Sequence, residues 1–188
     1  MTEGEFSDPR AHGSSPIRTG ELHDRRPLHA PPPRAPRALG ASFTDFGGWQ
    51  MPVRYTSDLA EHHAVRQAAG IFDISHMAEF TIKGVGAADY LDYALAGRLS
   101  ALPVGKAKYS LLLAEDGGII DDVIVYRLGE DDFLIISNAG NRDAVREALQ
   151  ARIAGRDVAV IDVSDSYALI AVQGAERRGD PRGDRRHR

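Results

Sequence analysis

The chain has 188 residues, 43% of them hydrophobic, with a formal charge of −4 and no cysteine. That length holds one ordinary domain with tails, and that hydrophobic content is enough for a core. The acidic balance offers no footprint for nucleic acid, and the missing thiols remove disulfides, cysteine nucleophiles and cysteine-ligated zinc. No apolar run approaches the roughly 20 residues that span a bilayer. Residues 1–24 carry five acidic side chains and no apolar h-region, so neither a secretory signal nor a transit peptide is expected. The expectation is a soluble, cytoplasmic protein with no membrane attachment.

Residues 1–37 are rich in Pro, Arg, His, Ser and Gly. The run from His29 to Arg37 has polyproline character, and nothing here buries enough surface to order itself. Order is expected from about residue 38 to 174, followed by an arginine-rich, basic and disordered tail over 175–188. The stretch Gly40–Val53 carries Phe43, Phe46 and the single tryptophan, Trp49, around Gly47-Gly48. A turn at the glycines with the rings anchored in a core is the reading. Ser57 or Asp58 caps a helix to about Ala69, closed by Gly70. Adjacent His62 and His63 point about 100° apart on such a helix, which makes them a poor chelating pair.

Ile71–Lys83 has the composition of one strand. Phe72, Ile74, His76, Ala78, Phe80 and Ile82 share one side. Asp73, Ser75, Met77, Glu79 and Thr81 share the other, a mostly polar set that fits a partly exposed face or one lining a cavity. A helix follows over Ala87–Ala96. After Asn141 an amphipathic helix runs to about Ile153, with Val145, Leu149 and Ile153 on one face. Asp157–Val163 and Tyr167–Val172 read as two further strands.

Between those helices lie three strands, Lys106–Leu113, Ile119–Leu128 and Phe133–Asn138, joined by turns rich in Gly and Asp. Turns this short exclude parallel crossovers. The fold class is therefore α+β, an antiparallel sheet with flanking helices. The middle strand holds two adjacent carboxylates. Period two puts Asp122 with Ile124 and Tyr126, and Asp121 with Val123 and Val125. Even a neutral polar group left unpaired in an apolar setting costs on the order of 2–7 kcal/mol. Either one Asp caps the Gly117-Gly118 turn while the other meets solvent, or one of them serves a site.

The segments FGGWQMPVRY, EHHAVRQAAGIFDISHMAEF, GKAKYSLLLAEDGGIIDDVIVYRL and SNAGN occur in this order. Together they closely resemble the aminomethyltransferase (T protein) family of the glycine cleavage system, over about residues 38–174. The resemblance implies a partial folate-binding domain. It further implies transfer of a one-carbon unit from an aminomethyl-lipoyl group, presented by a lipoylated H protein, to tetrahydrofolate with release of ammonia. Neither metal nor nucleotide is implied. By resemblance Asp122 is the catalytic carboxylate, and Met77, Tyr109, Ile124, Tyr126 and Asn138 bind the folate. The alternatives are a folate-binding module without transfer activity, like the related iron–sulfur assembly factors, and an inactive fragment. Departures from the family pattern are Ala78 in the SHMAE segment, Arg98, and the proline-rich stretch where members have an opening helix. The compositional breaks at both ends read as a truncated or out-of-frame chain.

Overall fold

The structure, a computed structural model, describes residues 34–46 and 48–175. Residues 1–33, Gly47 and the tail over 176–188 lie outside the described residues. A five-residue helix, α1 (Arg34–Ala38), starts inside the stretch expected to lack order. Pro36 sits in its first turn, where a missing N–H breaks no helical bond.

The main sheet has five strands in the order β5-β6-β7-β4-β8: β4 (Ala78–Lys83), β5 (Ala107–Leu113), β6 (Ile119–Arg127), β7 (Asp132–Ser137) and β8 (Ala159–Asp162). Every neighbouring pair is antiparallel. The three consecutive strands match the sequence reading to within one residue at each end. Their turns are fixed by the expected chemistry. Gly117 takes φ +86°, and the Asp116 carboxylate accepts from the Gly118 N–H at 2.9 Å. Leu128 N–H donates to the Asp132 carbonyl at 2.8 Å in the second turn.

Helices α3 (Ala87–Ala94) and α4 (Arg142–Ala151) supply the core on one face of this sheet. Tyr90 and Leu91 of α3 join Val145 and Leu149 of α4 over Phe80, Ile82, Leu112, Val123, Val125, Phe133 and Ile135. The Tyr90 hydroxyl donates to the Leu149 carbonyl at 2.7 Å, tying the two helices inside the core. Arg142 clamps the start of α4 to the end of β8 through paired contacts to Asp162 at 2.8 and 3.1 Å.

The expected single strand over Ile71–Lys83 is instead two. β3 (Gly70–Asp73) pairs with β9 (Ile170–Gln173) in a separate two-stranded sheet, whereas β4 enters the main one. The break has a local cause. The Asp73 side chain accepts from the Ser75 N–H at 3.0 Å, and Met77 N–H donates to the Ile74 carbonyl at 3.1 Å. Such an Asx turn competes with strand pairing. Nor is the second side of β4 partly exposed, because Glu79 and Thr81 are both buried. β8 and β9 are each shorter than expected, with a 3₁₀ turn (Ser164–Ser166) between them.

Two other expectations need correction. The aromatic stretch forms a hairpin, β1 (Ser42–Phe46) with β2 (Trp49–Arg54), but its rings are not core anchors. Phe46 is 61% exposed, and Phe46 and Trp49 meet the ring edge of His76 at 6.1 and 6.2 Å. Helix α2 (Asp58–Gln67) is capped by Ser57, whose hydroxyl accepts from the Ala60 N–H at 3.1 Å. It ends before Gly70, which belongs to β3. Both α2 histidines are exposed.

Two tests follow from the core. Tyr90→Phe removes one buried donor and leaves the Leu149 carbonyl with only the Arg152 N–H at 3.2 Å, so urea denaturation should show a loss of about 1 kcal/mol. An unchanged midpoint would contradict the tie. Glu79 is 1% exposed and neither carboxyl oxygen has a hydrogen-bond partner among the described residues, and burial pushes its pKa from 4.5 up to about 7. A folded-state value above the unfolded one means stability is lost as pH rises through that window. The Tm of Glu79→Gln relative to the parent should therefore climb between those two pH values. A pH-independent difference would contradict the burial of a lone acid.

Candidate functional site

The face of the main sheet opposite α3 and α4 carries the candidate residues. Its register is set by cross-strand pairs, which point to the same side. Tyr109 of β5 lies opposite Ile124 of β6, and Ile124 opposite Ile136 of β7. Ile136 in turn lies opposite Glu79 of β4, giving one row across four strands. Leu111 is opposite Asp122, and Tyr126 is opposite Leu134. Along β6 the burial alternates strictly: Asp121, Val123 and Val125 are buried, while Asp122, Ile124 and Tyr126 are half-buried. From Asp122 to Tyr126 the strand covers roughly 13 Å.

The two aspartates have different surroundings, and neither caps a turn. Asp121 is 2% exposed, on the helix side of the sheet. Its Oδ2 accepts from the Asn138 backbone N–H at 3.0 Å, and its Oδ1 accepts from Asn138 Nδ2 at 3.0 Å and Asn141 Nδ2 at 2.6 Å. Asp122 is held on the other side. Its Oδ1 accepts from the same Asn138 Nδ2 at 3.0 Å, and its Oδ2 accepts a short hydrogen bond from the Tyr109 hydroxyl. Each Asp122 oxygen thus has one donor and keeps a lone pair for a further partner. The hydrogen bond to Asp122 holds the Tyr109 phenol above its ordinary pKa of 10.0, so it remains a protonated donor at neutral pH.

The structure brings Asp122, Tyr109, Asn138 and Ile124 together. Tyr126 lies farther along the same strand face. Met77 sits in the turn before β4 and is half-buried. It precedes Ala78, which pairs with Ser137, so it leaves the sheet at the same end as Asn138. Asn141 carries no site signal by itself in the sequence. The available signal was the pair of amides three residues apart, directly after a strand facing two carboxylates. Among the described residues, no group of three or more His, Asp or Glu side chains is placed to hold a metal. No helix there is long and apolar enough to cross a membrane.

The arrangement is an anion with both oxygens oriented, beside an aliphatic and aromatic strip, on a face that is open at Tyr109 (60% exposed). Such a surface suits a flat, partly apolar ligand bearing N–H donors or developing positive charge.

The family profile described as the GCVT N-terminal domain matches residues 34–179. An aminomethyltransferase of Corynebacterium jeikeium is 60% identical over 136 residues, covering 72% of this chain and 35% of the relative. One from Streptomyces avermitilis is 51% identical over 158 residues, covering 84% of this chain and 42% of the relative. Among solved structures, the glycine cleavage system aminomethyltransferase T from Bartonella henselae aligns with a TM-score of 0.72 at 40% identity. That alignment covers 75% of this chain and 39% of the other. The chain therefore spans between a third and a half of the length of these relatives. By profile, sequence and fold, it belongs to the aminomethyltransferase family, within its GCVT N-terminal domain.

Proposed function

We propose that this chain carries the folate-binding and charge-stabilising part of the aminomethyltransferase reaction of glycine cleavage, in the cytoplasm. Tetrahydrofolate is the acceptor, and the donor is the aminomethyl-lipoyl group of a lipoylated H protein. The observation that carries this reading is the Asp122 carboxylate, oriented by Tyr109 and Asn138 on the open face of β6.

In the reaction the transferred carbon exchanges its bonds to the departing nitrogen and to the lipoyl sulfur for two bonds to folate nitrogens. The two protons lost from those nitrogens end on ammonia and on the thiol, so no redox partner is needed. As either leaving group departs, positive iminium character builds on the carbon. A carboxylate held in place before the reaction stabilises that charge without the reorganisation that water requires. Asp122 also orients the attacking folate N–H by accepting a hydrogen bond from it. Ile124 and Tyr126 extend an apolar surface along the strand for the ring system, and Met77 adds a flexible thioether at the Asn138 end. Tyr109 and Asn138 act on the ligand side by fixing the plane of Asp122.

Two measurements test the reading. Tetrahydrofolate binding by fluorescence titration is paired with ammonia release from aminomethylated H protein. Asp122→Ala should lower release by roughly 100-fold, the scale of losing one preorganised charge-stabilising group. Release that survives the substitution would reject the role of the carboxylate. Tyr109→Phe keeps the ring and removes one charge-assisted donor, so tetrahydrofolate affinity should fall roughly tenfold. Affinity equal to the parent would mean the phenol does not hold Asp122 for the ligand.

A further inference from the structure

Asp121 points away from the open face, yet it touches the same side chain that holds Asp122. Its buried carboxylate makes no ion pair among the described residues. The donors that satisfy it come from Asn138, through both backbone and side chain, and from Asn141. Asn138 is therefore gripped at two points by one carboxylate. Its Nδ2 then has one N–H for Asp121 at 3.0 Å and the other for Asp122 at 3.0 Å.

An asparagine amide turned over by 180° presents oxygen where it presented nitrogen. Here that oxygen would face two carboxylate oxygens at hydrogen-bond distance, a repulsive arrangement. Two anions on opposite sides of one strand thus enforce a single amide orientation. Neither alone enforces it as firmly, because Asp122 is half-buried and open to solvent while Asp121 is not.

We propose that Asp121 is a positioning residue for the folate site: by gripping Asn138 it directs the amide N–H, rather than the carbonyl, at Asp122. The proposal rests on the reading of Asp122 as the folate-facing carboxylate, and it adds a residue on the opposite side of the sheet. Asp121→Asn conserves volume but puts an N–H₂ group in place of one of two acceptor oxygens, of which Oδ1 takes two donors and Oδ2 one. The Asn138 amide is then oriented only by the Asp122 carboxylate and carbonyl oxygens, at 3.0 and 3.3 Å.

The test uses the ¹⁵N-labelled chain without ligand, and hydrogen exchange at the Asn138 side-chain amide. In the parent, that amide should exchange slowly. In Asp121→Asn it should exchange measurably faster than in the parent. In Asn141→Ala, which leaves both Asn138 contacts to Asp121 in place, it should remain protected. Fast exchange in the parent or in Asn141→Ala, or protection retained in Asp121→Asn, overturns the proposal.

A tetrahydrofolate titration is run in parallel as a double-mutant cycle. Asp121→Asn should weaken binding roughly tenfold in the parent and less than about twofold in an Asn138→Ala background. Equal losses in both backgrounds mark a purely structural role and overturn it too. If the parent binds no tetrahydrofolate, the functional reading fails while the exchange result still decides whether Asp121 orients Asn138.

Discussion

One amide nitrogen links the two faces of the sheet. Adjacent residues of a strand point to opposite sides, so Asp121 and Asp122 lie on different faces of the sheet. Asn138, just past the end of the neighbouring strand β7, donates to both. The geometry of the candidate site depends on this bridge. It turns a buried, amide-satisfied carboxylate on the helix side into a fixed reference for a half-exposed carboxylate on the open side.

The rest of the fold keeps that bridge in place. Helices α3 and α4 cover only one face of the sheet, and Asp121 lies under that cover beside the core residues Val123 and Val125. The 3₁₀ turn Ala139–Asn141 leads straight from Asn138 into α4, so the helix whose Val145 and Leu149 close the core also fixes the two asparagines. Arg142, the next residue, is bound to Asp162 and Asp165. Strand register then carries the order across the sheet. With Leu111 opposite Asp122, Tyr109 of the same strand sits two positions along, where its hydroxyl reaches back to the carboxylate.

Much of this was legible in the sequence. The meander over β5–β7 follows from Gly/Asp turns and strand composition. The split between Asp121 and Asp122 follows from period two alone, since a strand cannot place both on one side. Local pattern misled where side chains compete with the backbone. Asp73 breaks Ile71–Lys83 by accepting from the Ser75 N–H, so parity counted across that point joined residues of two different sheets. Glu79 falls in a mostly polar set that fits a partly exposed face or one lining a cavity, whereas β4 lies between β7 and β8 and is buried on both sides. Phe46 and Trp49 looked like anchors because they are aromatic, but a two-stranded hairpin has no second layer of its own to bury them. The bridge was the least legible part. Asn138 and Asn141 are ordinary turn residues until the neighbouring strand's register sets both aspartates beside them.

The central claim is that the open face of β5, β6 and β7, around an oriented Asp122, is where a reduced folate binds. The most direct measurement is a ¹³C-carboxyl and methyl NMR titration of the labelled chain with tetrahydrofolate. The account predicts that saturable shifts appear at Asp122 and Ile124, while Val145 and Leu149 under the helices stay still. Shifts centred on the helix side, or an Asp122 carboxyl signal unmoved at saturating ligand, would contradict it.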